Sequence, residues 1–406
     1  MNETKRHVPA LSVAGFRRQR GFNASRVGDL NRGLVIEAIR QRPGIGRTHI
    51  SAETGLTPSA ITQIVAALMD EGLVEEVAAA DAVKPEGQQR LGQPIRGLRI
   101  IPGYAATIGL HFDHEFARAV LVDVAGNIIA REKEQLQVEE PDQSTRLLAA
   151  LFSRLDEHPQ RPGRLLGVGV SVMGPVDHER GAVGLSSQYP AWRSYAFEQV
   201  LSQTIGHRVF IAINGSAAGL GEYWFGGGRH LGSYIYAFVG YGLGGALIFN
   251  RRAVRGSYGN AGEIGHIHAY PDGEVCYCGA RGCLETVVSL RGLARFLGKA
   301  RVEDLDFNAP GFCDDPELGR WIEQAGTDLG RSLTSVSNIV DISNILVSGL
   351  LPEPVLDRLI ERTRRTVAVC QITARPKQIT LEKAQAPSEL VAALGAAAMP
   401  LYGNLF

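Results

Sequence analysis

Val239-Gly240-Tyr241-Gly242-Leu243-Gly244-Gly245-Ala246-Leu247 is the stretch on which the reading of this chain turns, together with Gly262-Glu263-Ile264-Gly265-His266 shortly after it. Apolar residues flank a glycine-rich run, which suits a phosphate-binding loop and equally a tight turn between strands. Beyond them His266, Cys276, Cys278 and Cys283 follow the spacing H-x9-C-x-C-x4-C, with Gly279 and Gly282 inside the knuckle. Three thiolates and one imidazole suit a closed tetrahedral zinc site of structural type, and the glycines let the chain wrap around the ion. The other two of the five cysteines, Cys313 and Cys370, are isolated, so no disulfide framework is expected.

Outward from this centre the pattern alternates. Strand-like runs cover Ala105–Leu110 and Arg118–Asp123, and a hairpin turn at Ala125-Gly126-Asn127 restarts a strand at Ile128–Ala130. A helix over Ser144–His158 precedes strands at Gly167–Ser171, Phe210–Ile213 and within Ser233–Phe249. The last third is mostly helical, with one buried strand at Asn344–Val347 and a small-residue helix over Ser388–Met399. Strands alternating with helices predict an α/β protein. The sequence shows no internal repeat and no low-complexity segment.

The first hundred residues differ. Leu34, Val35, Ala38 and Ile39 mark a helix face within Asn31–Arg42, a second helix fits Thr48–Thr54, and Gly55 follows. In a third, Thr57 can cap, Pro58 can occupy the first turn, and Ile61, Ile64, Val65 and Leu68 form the buried stripe. Leu73–Val77 and Ile95–Ile100 then read as strands of a wing around a polar loop with Lys84, Arg90 and Gly92-Gln93-Pro94. Residues 1–60 carry ten Lys or Arg against four acids, an excess of +6, whereas the whole chain is neutral. A helix-turn-helix with local positive charge predicts binding to the phosphates and major groove of a double-stranded DNA operator. Arg47, Thr57, Ser59, Ala60, Thr62 and Gln63 are the candidate DNA-binding residues, and Gln63 can read adenine through its amide.

At 406 residues, two or three folding units are expected. A composition of 45% hydrophobic and 21% charged residues, with no apolar run of roughly 18, excludes a membrane helix. Met1–Arg20 is polar and basic, without the apolar stretch of a signal peptide, and a cytoplasmic location is expected.

The glycine turn, the Glu-x-Gly-His segment and the Cys-x-Cys-Gly-x-x-Gly-Cys-x-Glu knuckle resemble the signatures of the ROK family (repressors, open reading frames and kinases), from about Ala105 to the C-terminus. Gly167-x-Gly169-x-Ser171-x-x-Gly174-Pro175-Val176-Asp177 and Ile345-Leu346-Val347-Ser348-Gly349 resemble two of its strands. The resemblance implies a two-lobed actin-like, sugar-kinase (ribonuclease H-like) domain behind a winged helix-turn-helix. The expected boundaries are a basic tail at 1–25, the DNA-binding domain at 26–100, lobe one at 103–213 completed by a C-terminal helix at 386–406, and lobe two at 214–385. It further implies that Asn214, Glu263, His266 and Glu285 bind a sugar, with His266 serving zinc through one nitrogen and a hydroxyl through the other.

Kinases of the family take the sugar proton with the Asp of an Asn-Asp pair. Here the matching pair is Asn214-Gly215, and the family's Asp-x-Gly-Gly-Thr phosphate loop falls on Gly109-Leu110-His111-Phe112-Asp113-His114. The resemblance thus implies a sugar-responsive regulator that is no enzyme and works as a dimer or tetramer; the alternative is an ATP-dependent sugar kinase with an accessory N-terminal domain.

Overall fold

The computed structural model describes residues 24–78, 96–177, 181–183, 189–193 and 195–404. The basic segment 1–23, the wing loop with Lys84, Arg90 and Gly92-Gln93-Pro94, and Ser186-Ser187-Gln188 lie outside the described residues.

Three helices come first: α1 (Ala24–Gln41), α2 (Arg47–Thr54) and α3 (Pro58–Asp70). Strands β1 (Val74–Val77) and β2 (Gly97–Ile100) then pair antiparallel. Thr57 Oγ1 accepts the Ala60 amide at 3.3 Å, and Pro58 opens α3 where a missing N–H costs nothing. Ile61, Val65 and Leu68 are buried with Val35, Ile36, Ile39 and Ile50, in an apolar cluster that runs on into Tyr223, Trp224 and Tyr234 of the larger domain. Helix α1 starts at Ala24 and not at Asn31, because its first turns expose Val27 and Leu30 and so carry no buried stripe for periodicity to register. Leu34, expected on the buried face, is exposed, and Ile36 takes that place.

The remainder contains two sheets. The first half supplies β3 (Ala106–Phe112), β4 (Phe116–Asp123), β5 (Ile128–Gln135), α4 (Pro141–Asp156), β6 (Leu165–Val172), a small ribbon of β7 (Val176–Asp177) and β8 (Ala182–Val183), α5 (Phe197–Ile205) and β9 (Val209–Ile213). Then come α6 (Asn214–Phe225), β10 (Tyr234–Val239), β11 (Leu243–Phe249), β12 (Arg252–Ala253), α7 (Leu290–Phe296), α8 (Pro316–Val340), β13 (Asn344–Gly349), α9 (Glu353–Cys370), β14 (Thr380–Lys383) and α10 (Val391–Asn404). The sheet orders are β5-β4-β3-β6-β9 and β12-β11-β10-β13-β14. In each, a three-strand antiparallel meander is extended by two parallel strands on the other side of its first strand. The halves share a topology that the sequence hides, since what repeats is the pairing and not the residues.

Strand β3 is buried along its whole length, as a central strand covered on both faces must be, whereas edge strand β5 carries Arg131, Glu132, Lys133 and Glu134. Helix α10 lies directly on the first sheet, where a side chain at Gly109 or Gly169 would collide with the carbonyls of Ala393 and Ala396. The fully buried Glu222 carboxylate accepts the amides of Gly227 at 2.7 Å and of Gln385 and Ala386 at 2.9 Å, tying the end of α6 to the segment entering α10.

The winged module is anchored through α1. Glu37 accepts the Tyr223 hydroxyl, Gln41 donates to it at 2.9 Å, and Arg40 stacks 4.0 Å from the Trp224 ring while pairing with Glu37 at 2.7 Å. Burial would raise the Glu37 carboxyl, but its bonds to Arg40, Tyr223 and Gln41 outweigh that and hold it below its ordinary range. Tyr223 and Trp224 form the last turns of α6, whose first residue is Asn214.

Candidate functional site

A cleft between the lobes is lined by His111 near the end of β3, Asp113 and His114 from the β3–β4 turn, Asn214 and Gly215 from the start of α6, Gly240 to Gly245 from the β10–β11 turn and the start of β11, and Glu263, Tyr277, Glu285 and Arg291. The C-terminal ends of β3, β9 and β10 and the start of α6 converge here.

Of the sequence-predicted sugar residues, Asn214, Glu263 and Glu285 line this cleft, and His266 stands beside the two carboxylates. Ser171 donates to Asn214 Oδ1 at 2.8 Å, which fixes the amide at the cleft floor. His266 Nε2 lies 3.7 Å from Glu263 and 3.4 Å from the Tyr277 hydroxyl, while its Nδ1 lies 3.7 Å from Cys276 Sγ. One imidazole nitrogen thus faces the cleft and the other the cysteine knuckle. Burial, with the charge of Glu285 adding to it, raises the Glu263 carboxyl against the pull of His266. Glu285 is buried, and its oxygens take the Cys276 thiol at 2.8 Å and the Leu243 amide at 3.4 Å, so this carboxylate also links the knuckle to the glycine turn.

His266, Cys276, Cys278 and Cys283 place their ligand atoms within 4.8 Å of one another, a cluster able to hold a metal ion. Cys278 and Cys283 sulfurs are 3.7 Å apart, as are Cys276 Sγ and His266 Nδ1. A tetrahedron with bonds of roughly 2.0–2.3 Å has edges of about 3.3–3.8 Å, so the donor set fits a four-coordinate ion. Gly279 and Gly282 adopt φ of 92° and 76°, and a side chain at Gly282 would strike the Tyr270 carbonyl, so the loop depends on glycine there.

At the other end of the molecule Thr57, Ser59, Thr62 and Gln63 are exposed on α3 and Ala60 is half-buried. Arg47 does not join them: it pairs with Glu76 of the wing at 2.8 Å and approaches Met69 near the end of α3.

Reading from the sequence missed the other wall of the cleft. Asp113 is bonded to Arg118 at 2.5 Å; burial would raise its carboxyl, but His111, Arg118 and two backbone amides outweigh that and lower it. Burial pushes His111 down to about 4, and burial together with Arg291 does the same to His114. Tyr241 donates to Glu115 at 2.7 Å, joining the two turns across the gap. The signal was present in Asp113 and the histidines beside it, which stand in the segment where a glycine pair was expected.

A side chain at Gly215 would collide with the Gly245 backbone, so α6 and β11 touch main chain to main chain at that point.

Fold and site together define a two-lobed sugar-kinase-like domain fused to a winged helix. The ROK family model matches residues 107–401, and a winged helix-turn-helix DNA-binding model matches residues 29–75. The chain belongs to the ROK family. It is 30% identical over 272 residues to the xylose repressor of Caldicellulosiruptor bescii, covering 66% of each chain. It is 27% identical over 346 residues to the DNA-binding transcriptional dual regulator NagC of Escherichia coli, covering 82% of this chain and 83% of that one. A crystal structure of a ROK family transcriptional regulator, a homolog of the E. coli MLC protein, superposes with a TM-score of 0.72 at 23% identity, over 93% of this chain and 98% of that one.

Proposed function

We propose that this chain is a DNA-binding transcription repressor of carbohydrate genes, working in the cytoplasm, whose effector is a sugar or sugar derivative held in the interlobe cleft and not phosphorylated. The observation that carries this reading is the state of the cleft. Phosphoryl transfer needs a base for the hydroxyl proton and a glycine-lined cradle for the phosphates. Gly215 stands where the base is expected and has no room for a side chain, and Asp113, His114 and the buried Arg118 fill the turn that would cradle phosphate. The side chains that can grip hydroxyls, Asn214, Glu263, His266 and Glu285, all line or adjoin the cleft. Repressors among its relatives, of xylose and of N-acetylglucosamine genes, support the same role.

The metal is zinc, which would supply no chemistry but hold the knuckle in place through His266, Cys276, Cys278 and Cys283. His266 then presents Nε2 to the sugar, so the metal sets the orientation of a sugar ligand. Helix α6 supplies a route to DNA: Asn214 opens it in the cleft, and Tyr223 and Trp224 close it against α1. A dimer places two recognition helices on half-sites of a two-fold operator, with Thr57, Ser59, Ala60, Thr62 and Gln63 at the bases and Arg47 steadying the wing.

The test is a DNA titration with and without sugars, on wild type and on Glu263→Ala. The variant should bind metal and DNA but lose a sugar response that in wild type amounts to about 5- to 150-fold. Equal responses in both proteins, or turnover of ATP with any sugar, would overturn the reading.

A further inference from the structure

Arg291 stands on α7 at the mouth of the cleft, and its guanidinium donates from Nη2 to His114 Nε2 at 3.1 Å across the gap between lobes. A guanidinium can only donate, so His114 Nε2 is the acceptor. His114 is neutral, because burial and Arg291 hold it at about 4, and its proton therefore sits on Nδ1. That proton is donated to the Tyr189 oxygen at 2.8 Å, which leaves the Tyr189 hydroxyl hydrogen free to donate in turn.

Among the described residues the charge of Arg291 is not met. Other partly buried arginines in the chain have carboxylates: Arg40 has Glu37, Arg118 has Asp113, Arg362 has Glu323 and Arg375 has Asp341. Among the described residues no carboxylate lies within ion-pair distance of Arg291, and Glu115 gives an oxygen to Tyr241 instead. The remaining neighbour is the Tyr277 ring, 5.7 Å from the guanidinium carbon. Tyr277 also touches His266 with its hydroxyl, so the ring stands between the Glu263–His266 group and Arg291. A second unmet group lines the same cleft: His111 is nine-tenths buried, and its Nδ1 has no hydrogen-bond partner among the described residues. An unpaired cation with spare donors, in a cleft whose far wall carries two carboxylates, favours a ligand that is neutral at one end and negative at the other.

We propose that the effector is a sugar bearing an anionic substituent, a phosphate ester or a carboxylate, and that Arg291 recognises that substituent with the Tyr189 hydroxyl beside it. The ring hydroxyls face Glu263 and His266 on one side of Tyr277, and the anion faces Arg291 on the other. The inference rests on the sugar-responsive reading above and names the chemical class of its effector.

The experiment is calorimetric titration of the full-length, metal-loaded protein with neutral sugars and their anionic partners: glucose, glucose 6-phosphate and glucuronate, then N-acetylglucosamine and its 6-phosphate. One anionic sugar should bind about 10- to 100-fold more tightly than its neutral parent, the usual gain from bonds to a charged group. The phosphate and uronate arms show which anion is meant. Arg291→Gln should remove that preference while still binding the neutral parent, and Arg291→Lys should restore part of it. Neutral parents binding as tightly as their anionic partners, or an unchanged preference in Arg291→Gln, would overturn the anion and leave sugar binding standing. No binding of any sugar by wild type would overturn both.

Discussion

The turns Asp113-His114-Glu115 and Gly240-Tyr241-Gly242 join the same two strands of the same topology in the two halves of the domain, and they face each other across one cleft. The first is packed with charged side chains: Asp113 holds Arg118, His114 holds Arg291 and Tyr189, and Glu115 holds Tyr241. The second remains glycine for a local reason. A side chain at Gly242 would come 2.7 Å from Glu285, and one at Gly240 2.8 Å from the Phe238 ring. One turn faces the cleft, whereas the other is held by the knuckle behind it. The second half is therefore expected to be the rigid partner, fixed by metal and glycine, and the first half to carry the adaptable side chains.

The largest expected effect breaks the rigid half. Cys278→Ser removes one of the four side chains of the cluster able to hold a metal ion, and binding energy at such a site is folding energy. Metal content by elemental analysis should fall to near zero, and Tm should drop by roughly 10 °C, corresponding to about 3 kcal/mol in a domain of this size. An unchanged Tm in a metal-free variant would show that the knuckle does not hold the second half.

Acid should act on the other half. His111 and His114 fall from the ordinary 6.5 to about 4 in the folded chain, burial being the first cause for both. His111 faces Asp113, Arg118, Ser171 and Asn214; His114 faces Asp113, Arg291, Tyr189 and Tyr241. A depressed histidine favours the folded state in its neutral form, so stability is full above about pH 6.5 and is lost as pH falls from there towards 4. The loss is up to about 3 kcal/mol per histidine. Urea melts at pH 7 and pH 5 should show it, and His111→Asn should flatten the difference. Equal slopes in variant and wild type would mean that other groups carry the acid sensitivity.

The seam between the halves should tolerate no side chain. Gly215→Asp adds the carboxylate that the proposed function takes to be missing, yet it forces α6 away from the Gly245 backbone. Overpacking of this kind costs about 1–3 kcal/mol, and ATP turnover with sugar should stay undetectable. Turnover in this variant would show that the seam opens easily and that only the missing base disables the cleft.

These contrasts mark what a sequence exposes. The knuckle is legible because metal ligands are few residue types at fixed spacing, and the recognition helix is legible from Thr57, Pro58 and the stripe of Ile61, Val65 and Leu68. The duplicated topology is not, since strand pairing joins β3 to β6 and β10 to β13 across long separations and leaves no residue pattern behind. Arg291 and Tyr277 were equally hidden: an arginine on a short helix and a tyrosine between two cysteines look like surface residues until the lobes bring them to one mouth. Arg47 was placed by charge alone, and charge cannot say that Glu76 already holds it.

The smallest effect concerns the bond that joins the two turns. Tyr241 donates to Glu115 at 2.7 Å, and burial with the nearby Glu115 charge raises the phenol so that it stays a donor. The contact spans the lobes at a half-exposed position, so removing its hydroxyl costs about 1 kcal/mol and Tm should barely move. The consequence lies in the balance between lobe arrangements. If a ligand gripping both lobes draws them together, it binds the joined form better, and its apparent affinity falls with the population of that form. Tyr241→Phe should therefore weaken effector binding by about 2- to 10-fold while leaving Asn214, Glu263, His266 and Glu285 unchanged. Glu115→Gln, which keeps an acceptor for the phenol, should lose less. Effector titrations on the three proteins decide it. Unchanged or tighter binding in Tyr241→Phe would show that the two turns merely touch and that the lobes do not move as the effector binds.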